Sequence, residues 1–140
     1  MISGIATAIK LSKPSVKIIG AEPELAADAR ASLKAGKIVQ FGADEVTRTM
    51  ADGLRTQSIG QANFGHMRKY VDDIVTVSEE EIREALRRLA ANSKTTAEPS
   101  GAVAVAAFLF HGAELPATKI NVAVVSGGNI EPQTLAELRS

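Results

Sequence analysis

No cysteine and no tryptophan occur in this chain, and tyrosine occurs once. Without cysteine neither a disulfide framework nor a thiolate zinc site can form, and a reducing cytoplasm is the expected compartment. An excess of charge of either sign is missing as well: 16 basic side chains stand against 16 acidic ones, for a formal net charge of zero. That balance argues against nucleic acid or an anionic membrane as the main partner, since both reward a basic face. No apolar stretch approaches the length needed to span a bilayer, and the N-terminus lacks the basic-then-apolar order of a signal peptide. What is present is a hydrophobic fraction of 45% in 140 residues, a length that fits one domain or a piece of one, with one core at most.

Hydrophobic spacing predicts an alternation of helices and strands. Ile2, Ile5, Ala6 and Ile9 recur at helical spacing, with Ser3 as a candidate cap and Pro14 as a stop. A short buried strand is expected over 16–22, then an alanine-rich helix ending at Gly36, where a left-handed residue is usually needed. Residues 37–60 have weak periodicity and scattered glycines and are expected to be mostly loop. A short helix from Gln61 and a strand begun by Asp72 and Asp73 follow. Ser78 with Glu81 forms a capping box, and the helix it opens carries Ile82, Ala85, Leu86 and Leu89 on one face. Glu79–Arg83 and Glu84–Arg88 pairs are expected on its solvated face. The apolar run from Ala102 to Phe110, opened by Pro99, predicts a helix buried all round. The run 119–125 reads as a strand of a parallel sheet covered on both faces, and 132–140 as a closing helix. The expected fold is α/β, an open, mostly parallel sheet with helices on both faces.

Ligands of such sheets sit beyond the carboxyl ends of the strands, and the strand expected at 119–125 ends in Ser126, Gly127, Gly128 and Asn129. Two glycines let the backbone turn sharply and approach a flat ligand, and a serine hydroxyl can donate to or accept from a ring heteroatom. A plain strand-to-helix turn explains the same four residues equally well.

Together with "AEPELAAD", "VDDIVTVSEEEI" and "AEPSGAVAVAA", the "VVSGGN" stretch resembles the C-terminal part of serine racemases and of threonine dehydratases that lack a regulatory domain. These are fold-type II pyridoxal-phosphate enzymes, and the resemblance runs through essentially the whole chain. It implies that residues 1–140 form a single unit, the C-terminal portion of the pyridoxal-phosphate-binding large domain, with no regulatory domain. Ser126 would hydrogen-bond the pyridine nitrogen of the cofactor, in a loop with Gly127 and Asn129, and Glu98 would stand near the ring. Read from the residues alone, Glu98 is a carboxylate favouring the positive end of the helix that starts at Pro99. The resemblance also implies a Mg2+ or Ca2+ site on Glu22, the carbonyl of Ala26 and Asp28, an oxygen donor set that suits a hard cation. Read alone, Glu22 ends a strand and Asp28 is an exposed helix residue.

None of Lys10, Lys34, Lys94 and Lys119 stands in anything like the family's Schiff-base motif, and the glycine run that completes the phosphate cup is not found ahead of Ser3. No catalytic residue is therefore assigned, and the expectation is a fragment of a threonine/serine dehydratase-like or racemase-like enzyme, inactive alone. The intact enzyme would act on a small amino acid, releasing ammonia and a 2-oxo acid. A parallel sheet short of strands exposes an edge and apolar surface, so a homo-oligomer or a complementary N-terminal fragment is the expected partner. A non-catalytic metal- or anion-binding oligomerisation module, or one half of a split enzyme, stands as the alternative. His66 and His111 are expected to be structural or surface residues.

Overall fold

The computed structural model describes residues 1–93 and 95–139, so Lys94 and Ser140 lie outside the described residues. The apolar periodicity of the N-terminus forms α1 (Ile2–Ser12), which stops just ahead of Pro14. Ser3 is not its cap. Met1 takes that position, because the helix must begin early enough to bring Ile2 against the core, and Ser3 is buried in the first turn. There the Ser3 hydroxyl accepts a hydrogen bond from Asn63 Nδ2 at 2.8 Å.

The first strand, β1 (Ile19–Pro23), starts later than its apolar run, since Val16 is held in a turn by its N–H bond to Lys13 O. A 3-10 turn (Glu24–Ala26) leads into α2 (Asp28–Ala35), which ends on Gly36 at φ 68°. This is the left-handed cap expected of that glycine. Residues 37–60 are mostly loop, with a single turn of helix, α3 (Ala43–Val46), and a 3-10 turn (Asp52–Leu54). Then come α4 (Gln61–Tyr70), β2 (Asp73–Val77) and α5 (Glu79–Asn92). The capping box forms as expected: Ser78 Oγ accepts from Glu81 N at 3.3 Å and Glu81 Oε2 accepts from Ser78 N at 2.8 Å. The chain ends in α6 (Pro99–Phe110) and α7 (Pro132–Arg139).

β1 and β2 pair in parallel, with Gly20 opposite Ile74 and Glu22 opposite Thr76. The pleat of β2 sends alternate side chains to opposite faces. Val75 and Val77 join Ile82 and Leu86 of α5 and Ala102, Val103 and Ala106 of α6 in the larger core. Ile74 points the other way, into a smaller cluster with Ala29 of α2 and Met67 of α4. Helices therefore cover both faces of a parallel sheet. Burying a side chain such as Ile82 or Leu86 contributes roughly 2 kcal/mol. Gly20 faces β2 and α1 at once: a Cβ there would lie 2.9 Å from Ile74 Cγ1 and 3.1 Å from Ile2 Cδ1. Only a bare α-carbon admits both isoleucines.

Three further expectations fail. Residues 119–125 form no strand, and Ile120 and Val122 are each 82% exposed. Their composition favours a buried sheet, but a strand exists only through the ladder of a neighbour, and the described sheet consists of β1 and β2. Helix α6 is buried along Ala102, Val103, Ala106 and Ala107, but Phe108, Leu109 and Phe110 at its C-terminal end are exposed. Glu84 pairs with Arg88 at 2.7 Å as expected and with Arg87 as well. Glu79 is instead drawn inward, where its Oε2 accepts from Met50 N at 2.6 Å and satisfies a loop amide that no helix or strand serves.

Candidate functional site

Pro99 starts α6 with the φ of a helix and no N–H to leave unpaired, which places Glu98 at the cap position. The Glu98 side chain makes no cap bond to its own helix. It reaches instead to the loop after residue 125, where its Oε2 accepts from Asn129 N at 2.7 Å. Its backbone N–H donates to Gly127 O at 3.1 Å. Gly127 has φ 145°, a torsion that side chains disfavour, and a Cβ on it would lie 2.4 Å from Glu98 Oε1. A Cβ on Gly101 would lie 2.5 Å from Gly127 O, and one on Gly128 would lie 2.5 Å from Thr96 O. The loop is seated on the start of α6, and three glycines make the contact possible. Glu98, Gly127 and Asn129 are thus brought together, and Ser126 stands next to them, exposed. Asn129 does not open the last helix, which begins only at Pro132.

The second candidate site is at the junction of β1 and α2. Glu22 accepts from Ala29 N at 3.2 Å and from Arg30 N at 2.9 Å, so a strand carboxylate satisfies two free amides of the first turn of α2. Burial drives the Glu22 carboxyl up to about 7; the bond from Arg30 N opposes this, and the nearby Asp28 carboxylate adds to it. Asp28 is not the exposed helix residue of the plain reading, being 1% exposed. Burial also raises its pKa, against a hydrogen bond from Thr56 Oγ1 to Oδ1 at 3.4 Å. Asp28 Oδ2 is buried without a hydrogen-bond partner. Ala26, between the two acids, is buried too. Two carboxylates that resist ionising and an unsatisfied buried oxygen are what a cation would relieve. Among the described residues, no group of three or more acidic or imidazole side chains is placed to hold a metal, so carbonyl and water oxygens would have to complete the shell.

Sequence reasoning missed several participants. Thr56, whose hydroxyl reaches Asp28, and Gly101 and Thr96, which seat the 126–129 loop, carry no signal in their local sequence. Their parts depend on neighbours far away in the chain. His111 caps the C-terminus of α6 and lies between Glu114, at 2.6 Å, and Glu81, at 3.1 Å. His66 Nδ1 lies 2.9 Å from Thr7 Oγ1. Lys10 is committed to an ion pair with Asp72 at 2.6 Å.

The family described as pyridoxal-phosphate dependent enzyme matches residues 1–127. This chain belongs to that family. Among pyridoxal-phosphate dependent enzymes it is 44% identical over 135 residues to a serine racemase of Arabidopsis thaliana, covering 94% of this chain and 40% of that protein. It is 43% identical over 136 residues to an L-threonine ammonia-lyase of Geobacter sulfurreducens, covering 97% of this chain and 33% of the relative. The structure of maize serine racemase superposes with a TM-score of 0.85 at 38% identity, over 97% of this chain and 42% of the other. The chain thus spans a third to two fifths of the length of these relatives. The matched fold is accordingly a partial domain of the family's α/β architecture. The loop seated on the start of α6 suits the family's cofactor: an exposed hydroxyl on Ser126 offers a neutral partner to a ring nitrogen, and the adjoining glycines carry no side chains. No helix among the described residues is long and apolar enough to cross a membrane.

Proposed function

We propose that this chain is the C-terminal portion of the cofactor-binding large domain of a threonine or serine ammonia-lyase or serine racemase, working in the cytoplasm on a small amino acid. The observation that carries this is the seating of residues 126–129 on Glu98 and Gly101, within a family match that runs through Gly127. When bound, pyridoxal phosphate supplies an electron sink that acidifies the α-carbon of an amino acid. Ser126 presents a hydroxyl to the ring nitrogen, a weaker partner than a carboxylate, which suits proton removal followed by loss of a β-hydroxyl or return of the proton. Gly127 and Gly128 would leave the approach to Ser126 free of side chains. Glu22, the carbonyl of Ala26 and Asp28 would hold Mg2+ or Ca2+, which would neutralise the two buried carboxylates.

Turnover needs groups from another polypeptide segment, since none of the described lysines stands in a motif suited to the Schiff base. Ile120, Val122 and the exposed end of α6 provide the apolar surface for it, offered to a complementary N-terminal segment or to a second copy. The test is 2-oxo-acid release from L-threonine and L-serine with pyridoxal phosphate and Mg2+, recorded with the absorbance spectrum. The chain alone should give no product, and mixing it with the N-terminal part of the Arabidopsis relative should restore product. Product from the chain alone would overturn the fragment reading.

A further inference from the structure

We propose that Glu98 is a positioning residue that holds the backbone of residues 126–129, and so aims Ser126. The proposal rests on the cofactor reading above for the role of Ser126, and on geometry alone for the clamp. Residue 98 grips the loop at two backbone points: its carboxylate takes the amide of Asn129 at 2.7 Å and its own amide reaches Gly127 O at 3.1 Å. Oε2 holds the Asn129 amide, and Oε1 faces the bare α-carbon of Gly127, where a Cβ would clash with it. The loop makes two further close approaches, Gly127 O against the bare α-carbon of Gly101 and Thr96 O against that of Gly128.

Gly127, the centre of this clamp, directly follows Ser126. Its φ of 145° sets the direction from which Ser126 enters the clamp, and a residue with a side chain would meet both a disfavoured torsion and the Glu98 carboxylate. Ser126 itself is exposed and lacks packing to fix it. Its aim therefore depends on the backbone that Glu98 grips. Glu98 is also the residue joining the loop to α6, whose packed face of Ala102, Val103 and Ala106 is a rigid reference.

The test is amide hydrogen exchange by NMR on the 140-residue chain and two variants. Glu98→Ala should speed exchange of Asn129 about tenfold, leaving the amides of α6 beyond its first turn unchanged. Glu98→Gln, which keeps an acceptor oxygen, should hold Asn129 within about twofold of the parent. Unchanged Asn129 exchange in Glu98→Ala would overturn the clamp. So would equal losses in both variants accompanied by loss of protection through α6, which would make Glu98 a general folding residue. Pyridoxal phosphate added to the same samples should perturb the Ser126 amide in the parent and in Glu98→Gln, with about tenfold weaker affinity in Glu98→Ala. No response of Ser126 in any sample, together with the expected exchange pattern, would remove the cofactor role and leave the clamp. A response of equal affinity in all three would overturn the aiming of Ser126.

Discussion

Lys10 Nζ lies 2.6 Å from Asp72 Oδ2, tying the last turn of α1 to the residue just before β2. Lys17 approaches the other oxygen of the same carboxylate at 3.1 Å, and Ile18 N donates to Oδ2 at 2.8 Å. Burial pushes the Asp72 carboxyl up, but the Ile18 amide and the two lysines outweigh it and hold the pKa at about 2. One acidic side chain thus joins the helix, the turn before β1 and the start of β2.

A folded pKa below the unfolded value means that this stabilisation is full above pH 3.8 and is lost as pH falls towards 2. With solvent screening it is worth about 1 kcal/mol. Asp72→Asn should lower Tm by a few degrees at neutral pH and leave a shallower acid limb in the Tm profile. A variant with the parent's acid limb would show that Asp72 does not carry this part of the pH dependence.

Mg2+ or Ca2+ should raise Tm by about 3 °C or more, consistent with linkage to a site in the folded state only. Asp28→Asn removes the charge on the unsatisfied oxygen and should abolish the response, while leaving the metal-free protein as stable or more so, because the buried Glu22 loses a like-charged neighbour. An equal response to either cation in parent and variant would place cation binding elsewhere.

His111 is raised above its ordinary pKa by Glu114 first and Glu81 second, against burial. The stability it contributes is present below pH 6.5 and is lost as pH rises beyond its folded value. As pH rises above 6.5 the parent should lose Tm. His111→Gln should show a flatter profile over the same range. The C-terminus of α6 favours the imidazolium too, so both helices it bridges contribute.

Exposed Ile120 and Val122 should make the chain associate. Sedimentation should show a dimer or a larger assembly at micromolar concentration, and Ile120→Lys with Val122→Lys should yield a folded monomer whose Tm does not depend on concentration. A monodisperse parent monomer would count against the proposed partner surface.

The capping box of Ser78 and Glu81, the left-handed Gly36 and the start of α6 at Pro99 were legible because each depends on residues within one turn. Glu79 was misread for the opposite reason. Helical spacing offered Arg83, but the loop amide of Met50 lies 29 positions away and has no other partner to compete for. Comparable separations hid Thr56 from Asp28 and Thr96 and Gly101 from the 126–129 loop.

By itself the sequence determined the local elements, the alternation that makes an α/β fold, and which residues carry the candidate chemistry, because propensity, capping and hydrophobic period act over a few residues. The tertiary structure decided which of those residues meet. It turned Glu98 from a helix-end carboxylate into the grip on Asn129, buried Asp28 with an oxygen unsatisfied, and left 119–125 without a strand partner. Hydrogen bonding and desolvation are settled by neighbours in space, and a linear pattern does not contain them.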